Sequence, residues 1–311
     1  MLEAMHWFST KTPKSVRHLC FDARRGCSYG WIAGLALSSL AVYLVLQASF
    51  EARPVETRYP CSEVVVSVST IAPRFGVFVS KVLPHIEKML SVDKILVHVQ
   101  TNVGRIHAIE HGLDWRNVSR GPKTSFYRHE KEDLGPISKL MRALELVTDG
   151  DACVVTLDDD VIYRDHRRVF VLKSLAETYA DAAVGYGCEE APSYLWAWQH
   201  VCPGCIFWTS KTYRGAGLAT APQACDGWLL GWEGVVYRRK FFHSDLRPHP
   251  ECYLTDDVMI SGYLRGRSIP RLVYAGLPNP EHLPKNENNA LSLIPNVMVE
   301  HQWPCVRELF S

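Results

Sequence analysis

The stretch "ACVVTLDDDVIY", Ala152 to Tyr163, decides how this chain is read. Ala152, Cys153, Val154, Val155 and Leu157 suit a buried strand, and Asp158, Asp159 and Asp160 follow at once. Neighbouring carboxylates repel, and setting them against a core strand is costly unless a cation or hydrogen-bond donors compensate. In an open α/β sheet, ligands bind outside the carboxyl ends of the strands, which is where these acids stand. Carboxylates there can hold a hard divalent cation that bridges phosphate oxygens. The plainer alternative is a polar turn with an aspartate capping a helix.

Outward from this strand, "EVVVSVST" (Glu63 to Thr70) and "KILVHVQ" (Lys94 to Gln100) read as two further strands. Between them Phe75, Phe78, Val82, Ile86 and Met89 recur at helical spacing, with Pro84 placed to kink or shorten that helix. Residues 101–133 are polar and read as irregular. After Gly135-Pro136, with the proline suited to a first helical turn, Ile137, Leu140, Met141, Leu144 and Val147 mark an amphipathic helix. Val169, Leu172, Leu175 and Tyr179 suggest another helix, and "AAVGYG" (Ala182 to Gly187) another strand. This alternation predicts an α/β fold with a mostly parallel, doubly wound sheet. Beyond Gly187 the chain carries Trp196, Trp198, Phe207, Trp208, Tyr213, Trp228 and Trp232 among Gly, Pro and Cys. Such aromatics are either core residues pinned by disulfides or a platform for sugar rings.

The 311 residues are 47% hydrophobic and 22% charged, with a net charge of +1, enough for one large domain or two small ones. The charge balance and the lack of a dense basic run argue against nucleic acid as a partner. Gly26 to Phe50 contains no charged residue, long enough for a spanning helix. Lys11, Lys14, Arg17, Arg24 and Arg25 precede it, against Glu3 and Asp22. The positive-inside rule then gives a cytoplasmic tail over 1–30, a transmembrane signal anchor over 31–50 and a stem over 51–60. A cleaved signal peptide fits less well, because the apolar stretch is too long and the leader too extended. Cys61, Cys153, Cys188, Cys202, Cys205, Cys225, Cys252 and Cys305 follow the anchor, an even set that suits disulfides in an oxidising compartment. Their pairing stays open. "CPGC" (Cys202 to Cys205) has redox spacing but lies in an aromatic loop, and zinc is a weaker alternative. Asn117-Val118-Ser119 is a glycosylation sequon.

"VVTLDDDVIY" resembles the DxD segment of glycosyltransferases with the GT-A (Rossmann-like) fold. "DLGPISKL" precedes it, and "GWEGVVYRR" and "YLTDDVMISGYL" follow in family order, over roughly Glu63 to Cys305. The last is similar to the acidic-acidic-Val element of lumenal β-1,3-galactosyl- and N-acetylglucosaminyltransferase-like enzymes. The resemblance implies a lumenal GT-A domain over 61–311, with a nucleotide-sugar-binding half (61–187) and an acceptor-binding half (188–311). It implies a single-pass type II protein of the Golgi or ER membrane that moves a sugar from a nucleotide-diphosphate sugar, a UDP-sugar by expectation. The acceptor would be a hydroxyl of a glycan or glycoconjugate, and the cofactor Mn²⁺ or Mg²⁺.

Carried over by position, Asp158 faces the donor nucleotide and joins Asp160 on the metal, while Asp159 is less directly engaged. Lys139 adds a point charge near the phosphates, or else is a solvated lysine on a helix. Asp257 is the general base of an inverting displacement, with Asp256 beside it as an acceptor contact. Relatives often carry Glu at the position of Asp256. Glu233 is the rival carboxylate, and Trp232 the residue for acceptor stacking. His301, with His282 behind it, offers a further metal ligand. Read without the family, Thr255 is an N-cap, with Asp256 and Asp257 complementing the helix dipole. Two other classes remain as expectations, a non-catalytic glycan-binding protein on the same fold and a metal-dependent phosphohydrolase. Donor sugar, acceptor and linkage are set by a few loop contacts that sequence does not identify.

Overall fold

Strand β1 (Val64–Ile71) is almost wholly buried and pairs in parallel on both sides, with β2 (Lys94–Gln100) and with β4 (Cys153–Leu157). A run of valines with no exposed face is what a strand covered on both sides requires. This computed structural model describes residues 59–101, 118, 120–130, 132–190, 211–213, 221–283 and 302–310. All of them belong to one compact unit, Thr57–Ser311. The tail, the expected anchor, the stem up to residue 58, the sequon asparagine, "CPGC", Trp196, Trp198, Phe207, Trp208 and His301 lie outside the described residues. Among the described residues no helix is long and apolar enough to cross a membrane.

Beyond β2 lies β3 (Thr124–His129), also parallel. On the other side of β4 come β11 (Val235–Arg238), β6 (Ala183–Gly185), β12 (Arg271–Val273) and β9 (Gln223–Ala224). The described strands thus form an eight-stranded sheet ordered β3-β2-β1-β4-β11-β6-β12-β9. Two smaller ladders accompany it. One holds β10 (Trp228–Leu229), β7 (Cys188–Glu190) and β8 (Lys211–Tyr213), the other β13 (Glu281–His282) and β5 (Val161–Ile162).

One face of the large sheet packs on α1 (Ser138–Leu146), α3 (Asp256–Gly266) and α4 (Trp303–Phe310), through Val65, Leu140, Val154, Val235, Ile260 and Val306. The other face packs on α2 (Arg168–Thr178) and the helical segment 75–86, through Val66, Val97, Val155, Leu172, Phe78 and Ile86. Disulfides join Cys61 to Cys153, Cys188 to Cys225 and Cys252 to Cys305.

The expected mixed α/β layer is present, with three departures. The segment 101–133 is not irregular throughout, since β3 lies within it. As the outer strand of the described sheet, paired there on one side, β3 needs no continuous apolar run, so it carried little sequence signal. The helix expected over Phe75 to Met89 is interrupted by a π turn, Phe78–Val82, and ends at Ile86. Pro84 follows that turn, and its missing N–H is a local reason for the irregular ladder. Finally, β11 runs antiparallel to both β4 and β6, an exception within a sheet that is otherwise mostly parallel as expected.

Candidate active site

The antiparallel β11 is what assembles the site. Its first residue, Val235, pairs with Thr156 near the end of β4, so the turn before it, Gly231–Glu233, lies against Asp158–Asp160. A parallel strand would have carried that turn to the opposite end of the sheet. The third acidic segment arrives by a different contact. Gly135, at φ +71°, starts the turn into α1, and a β-carbon there would stand 2.4 Å from the Tyr253 carbonyl oxygen. Asp133 secures this junction by accepting hydrogen bonds from the Gly135 N–H (2.9 Å) and the Tyr253 hydroxyl (2.5 Å). The N-terminus of α1 therefore meets the N-terminus of α3, where Asp256 and Asp257 occupy the first turn.

Three links close a triangle between these segments. Lys139, on the buried side of α1, donates from Nζ to Asp158 Oδ1 (2.5 Å) and pairs with Asp256 Oδ2 (2.8 Å). The Tyr163 hydroxyl accepts from the Asp158 N–H (2.9 Å) and donates to the Trp232 carbonyl (3.0 Å). The Gly231 N–H donates to Asp257 Oδ2 (2.9 Å). A β-carbon at 231 would lie 2.4 Å from Asp257 Oδ1 and 3.3 Å from Lys139 Nζ, so any larger residue would displace these two side chains. Arg168, itself buried, supports the Trp232 turn by donating from Nη1 to the Glu233 carbonyl (2.8 Å) while its guanidinium covers the Tyr186 ring at 4.4 Å.

Asp159 and Asp160 have a second cation. Arg74, in the turn Ala72–Arg74 directly after β1, places Nη2 at 2.7 Å from Asp159 Oδ1 and Nη1 at 3.4 Å from Asp160 Oδ2. The Asp159 side chain is 4% exposed, whereas Asp158 and Asp160 keep 29% and 24%, so the two outer carboxylates face outward and the middle one faces Arg74. His282 lies on β13, which pairs with β5 immediately after the acids, and the next residue's N–H (Leu283) donates to the Asp160 carbonyl at 2.9 Å. The exposed His282 ring packs on half-buried Trp232 with centroids 4.5 Å apart.

Burial alone would lower the Lys139 pKa, but Asp158, Asp256 and Asp257 together hold it well above the usual lysine range. Burial and the Asp256 charge push the Asp257 carboxyl well above the usual carboxylate range, against the opposing pull of Lys139 and the Gly231 N–H. Burial brings Asp159 up to about 6 with Arg74 opposing it, and raises Asp160 together with the Asp158 charge. Five carboxylates meet two permanent cations here, Lys139 and Arg74, a formal excess of three negative charges when all are ionised.

That excess, with Asp158 and Asp160 facing outward at a strand end, fits a hard divalent cation. The chain does not provide a full coordination cage. Among the described residues only Cys188, Glu190 and Cys225 bring three ligand atoms within 4.8 Å of one another, and there the sulfurs are joined as a disulfide. A cation of the Mg²⁺ type needs no protein cage, because it commonly takes one or two carboxylates and completes its shell with phosphate oxygens and water.

Of the residues singled out from the sequence, Asp158, Lys139, Asp256 and Asp257 come together directly, and Trp232 joins them through Tyr163. Lys139 is 4% exposed and is not a solvated surface lysine. Glu233 is 1% exposed and packs against Gly187, where a β-carbon would be 2.7 Å from its Oε1. Thr255 stands at the N-cap of α3 without a side-chain capping bond; its hydroxyl points at the Cys252 carbonyl (3.4 Å). Sequence reasoning missed Arg74 and Tyr163, and set His282 behind His301. Arg74 had one available signal, its position just past the carboxyl end of a buried strand.

No protein family's sequence profile matches the chain, and no curated protein matches its sequence. Solved structures similar to it include the mannosyltransferase PcManGT from Pyrobaculum calidifontis in complex with GDP-Man and Mn²⁺, at 15% identity and a TM-score of 0.40 over 81% of this chain and 67% of that one. Glucosyl-3-phosphoglycerate synthase from Mycobacterium tuberculosis, in complex with phosphoglyceric acid, gives 12% identity and a TM-score of 0.48 over 80% of each chain. GalNAc-T7 with UDP, GalNAc and Mn²⁺ gives 12% and 0.47 over 72% of this chain and 45% of that one. At such values the likeness assigns no activity, and a function for this chain rests on its own residues.

Proposed function

We propose that this protein is a metal-dependent glycosyltransferase that moves a sugar from a nucleotide-diphosphate sugar, of the UDP type, to a hydroxyl of a glycan or glycoconjugate. The observation that carries this reading is the junction at Lys139, where acids from the end of a sheet strand and from a helix N-terminus share one buried cation. Such a site has an outward pair of acids for a metal and diphosphate, and a second acid across from it for a hydroxyl proton.

Asp158 and Asp160 hold the divalent cation, Mn²⁺ or Mg²⁺, which when bound supplies Lewis-acid neutralisation of the leaving diphosphate. His282 is favoured over His301 as the histidine beside it, because it lies on the strand paired next to Asp160. Asp256 is committed to Lys139, and Glu233 is buried against Gly187, so Asp257 is the base. Its Oδ2 is held by the Gly231 N–H, and its other oxygen takes the acceptor proton. The acceptor oxygen attacks the anomeric carbon as the bond to the diphosphate oxygen breaks, the electron pair leaves with the diphosphate, and the configuration inverts. The face of Trp232 stacks on the acceptor ring.

We place the domain in the Golgi or ER lumen behind the anchor at 31–50; the disulfides support that placement, because cytosolic thiols are kept reduced. The test is a panel of nucleotide sugars with and without Mn²⁺, scored for nucleotide release. One donor should turn over only with metal, and Asp257→Asn should suppress transfer while UDP still binds. Glycan binding with no release from any donor would replace this reading with that of a glycan-binding protein.

A further inference from the structure

The guanidinium of Arg74 is held unequally. Its Nη2 is 2.7 Å from Asp159, a buried carboxylate that meets no other cation among the described residues, so this half of the fork is an anchor. Its Nη1 is 3.4 Å from Asp160, at the limit of a hydrogen bond, and Asp160 is one of the two carboxylates that face outward. Among the described residues the Arg74 Nε is buried with no hydrogen-bond partner, so the guanidinium is not saturated. Arg74 also sits at the carboxyl end of β1, beside the end of β4, the edge on which a diphosphate must lie.

We propose that Arg74 is a placeholder cation, which neutralises Asp160 while the site is empty and exchanges that contact for a diphosphate oxygen when a divalent cation takes Asp160. The exchange rests on the metal-dependent reading above. It moves one half of a fork while the Asp159 anchor stays, so the turn bearing the acids keeps its place. Guanidinium suits this task because its two amino groups pair with carboxylate or phosphate in the same planar geometry. The exchange makes metal alone a poor ligand, since it must displace a resident cation, and metal with nucleotide a good one, since the displaced group gains a phosphate partner.

The experiment is Mn²⁺ binding followed by electron paramagnetic resonance on the full chain, with and without UDP, for the natural protein and Arg74→Gln. Without UDP, Arg74→Gln should bind Mn²⁺ about tenfold more tightly, equivalent to about 1.4 kcal/mol. With UDP present the order should reverse, and the variant should bind Mn²⁺ and UDP together about tenfold more weakly. A residue that merely supports Asp159 would not produce opposite signs. Because Arg74→Gln strands the buried Asp159, the double variant Arg74→Gln/Asp159→Asn removes the ion pair as a unit and should show the same reversal. Equal or weaker Mn²⁺ binding without UDP in both variants overturns the proposal. Failure of the natural protein to bind Mn²⁺ even with UDP would instead overturn the metal-dependent reading on which it rests.

Discussion

Lys139 and Asp257 show how far single residues can be argued. Lys139 is buried among acids from two distant stretches of chain, and removing a buried partner costs more than the pair contributes, because the remaining charge is left uncompensated. Lys139→Met should therefore lose about 3–5 kcal/mol of stability, read from urea unfolding at neutral pH. For Asp257, burial and Asp256 raise the pKa, and only the ionised form accepts a proton. Transfer should accordingly fall on the acid side through a limb lying above the ordinary carboxylate range, seen in the pH profile of kcat/KM. Asp257→Asn should lower kcat by roughly 10²–10⁴-fold. The acids were legible in the sequence because consecutive carboxylates after an apolar run are unusual. Tyr163 was not, since a lone tyrosine carries no signal until its partner is known, and Arg74 offered only its position past the end of β1.

At the scale of elements, β11 matters more than any strand anticipated from the apolar runs. Its reversed direction brings Gly231–Glu233 to the acids, and the Tyr163 hydroxyl then joins the two backbones. Tyr163→Phe removes the hydrogen bonds to the Asp158 N–H and the Trp232 carbonyl, at a cost of about 0.5–1.5 kcal/mol for each. Circular dichroism melts should show that loss, and kcat should fall more than donor binding weakens, because Trp232 moves relative to Asp158. Gly231→Ala sets a methyl group against Asp257 and should lower kcat roughly 10²-fold with the fold intact. "GWEGVVYRR" was recognisable as a motif, yet the direction of its strand was not, because alternation and β-branching look the same in either sense. Strand β3 escaped notice for a related reason. Among the described residues it pairs on one side alone and is partly exposed, so it lacks the apolar continuity of β1 and β2.

Across the whole molecule, the disulfide between Cys61 and Cys153 fastens the entrance of β1 to the start of β4 over a separation of 92 residues. Closing a loop of that length restricts the unfolded chain, so Cys61→Ala/Cys153→Ala should cost roughly 4–5 kcal/mol, measured against the intact protein under non-reducing conditions. The sequence by itself determined the alternation of strands and helices, the buried character of β1, β2 and β4, and the identity of the acidic segments. Those features are local, and hydrophobic spacing and adjacent charge record them directly. Only the tertiary structure decided which cation meets which acid, which cysteines pair, and that residues 139, 158, 231 and 257 share one site. Those facts depend on strand direction and on close approach between segments some hundred residues apart, and no spacing within either segment encodes them.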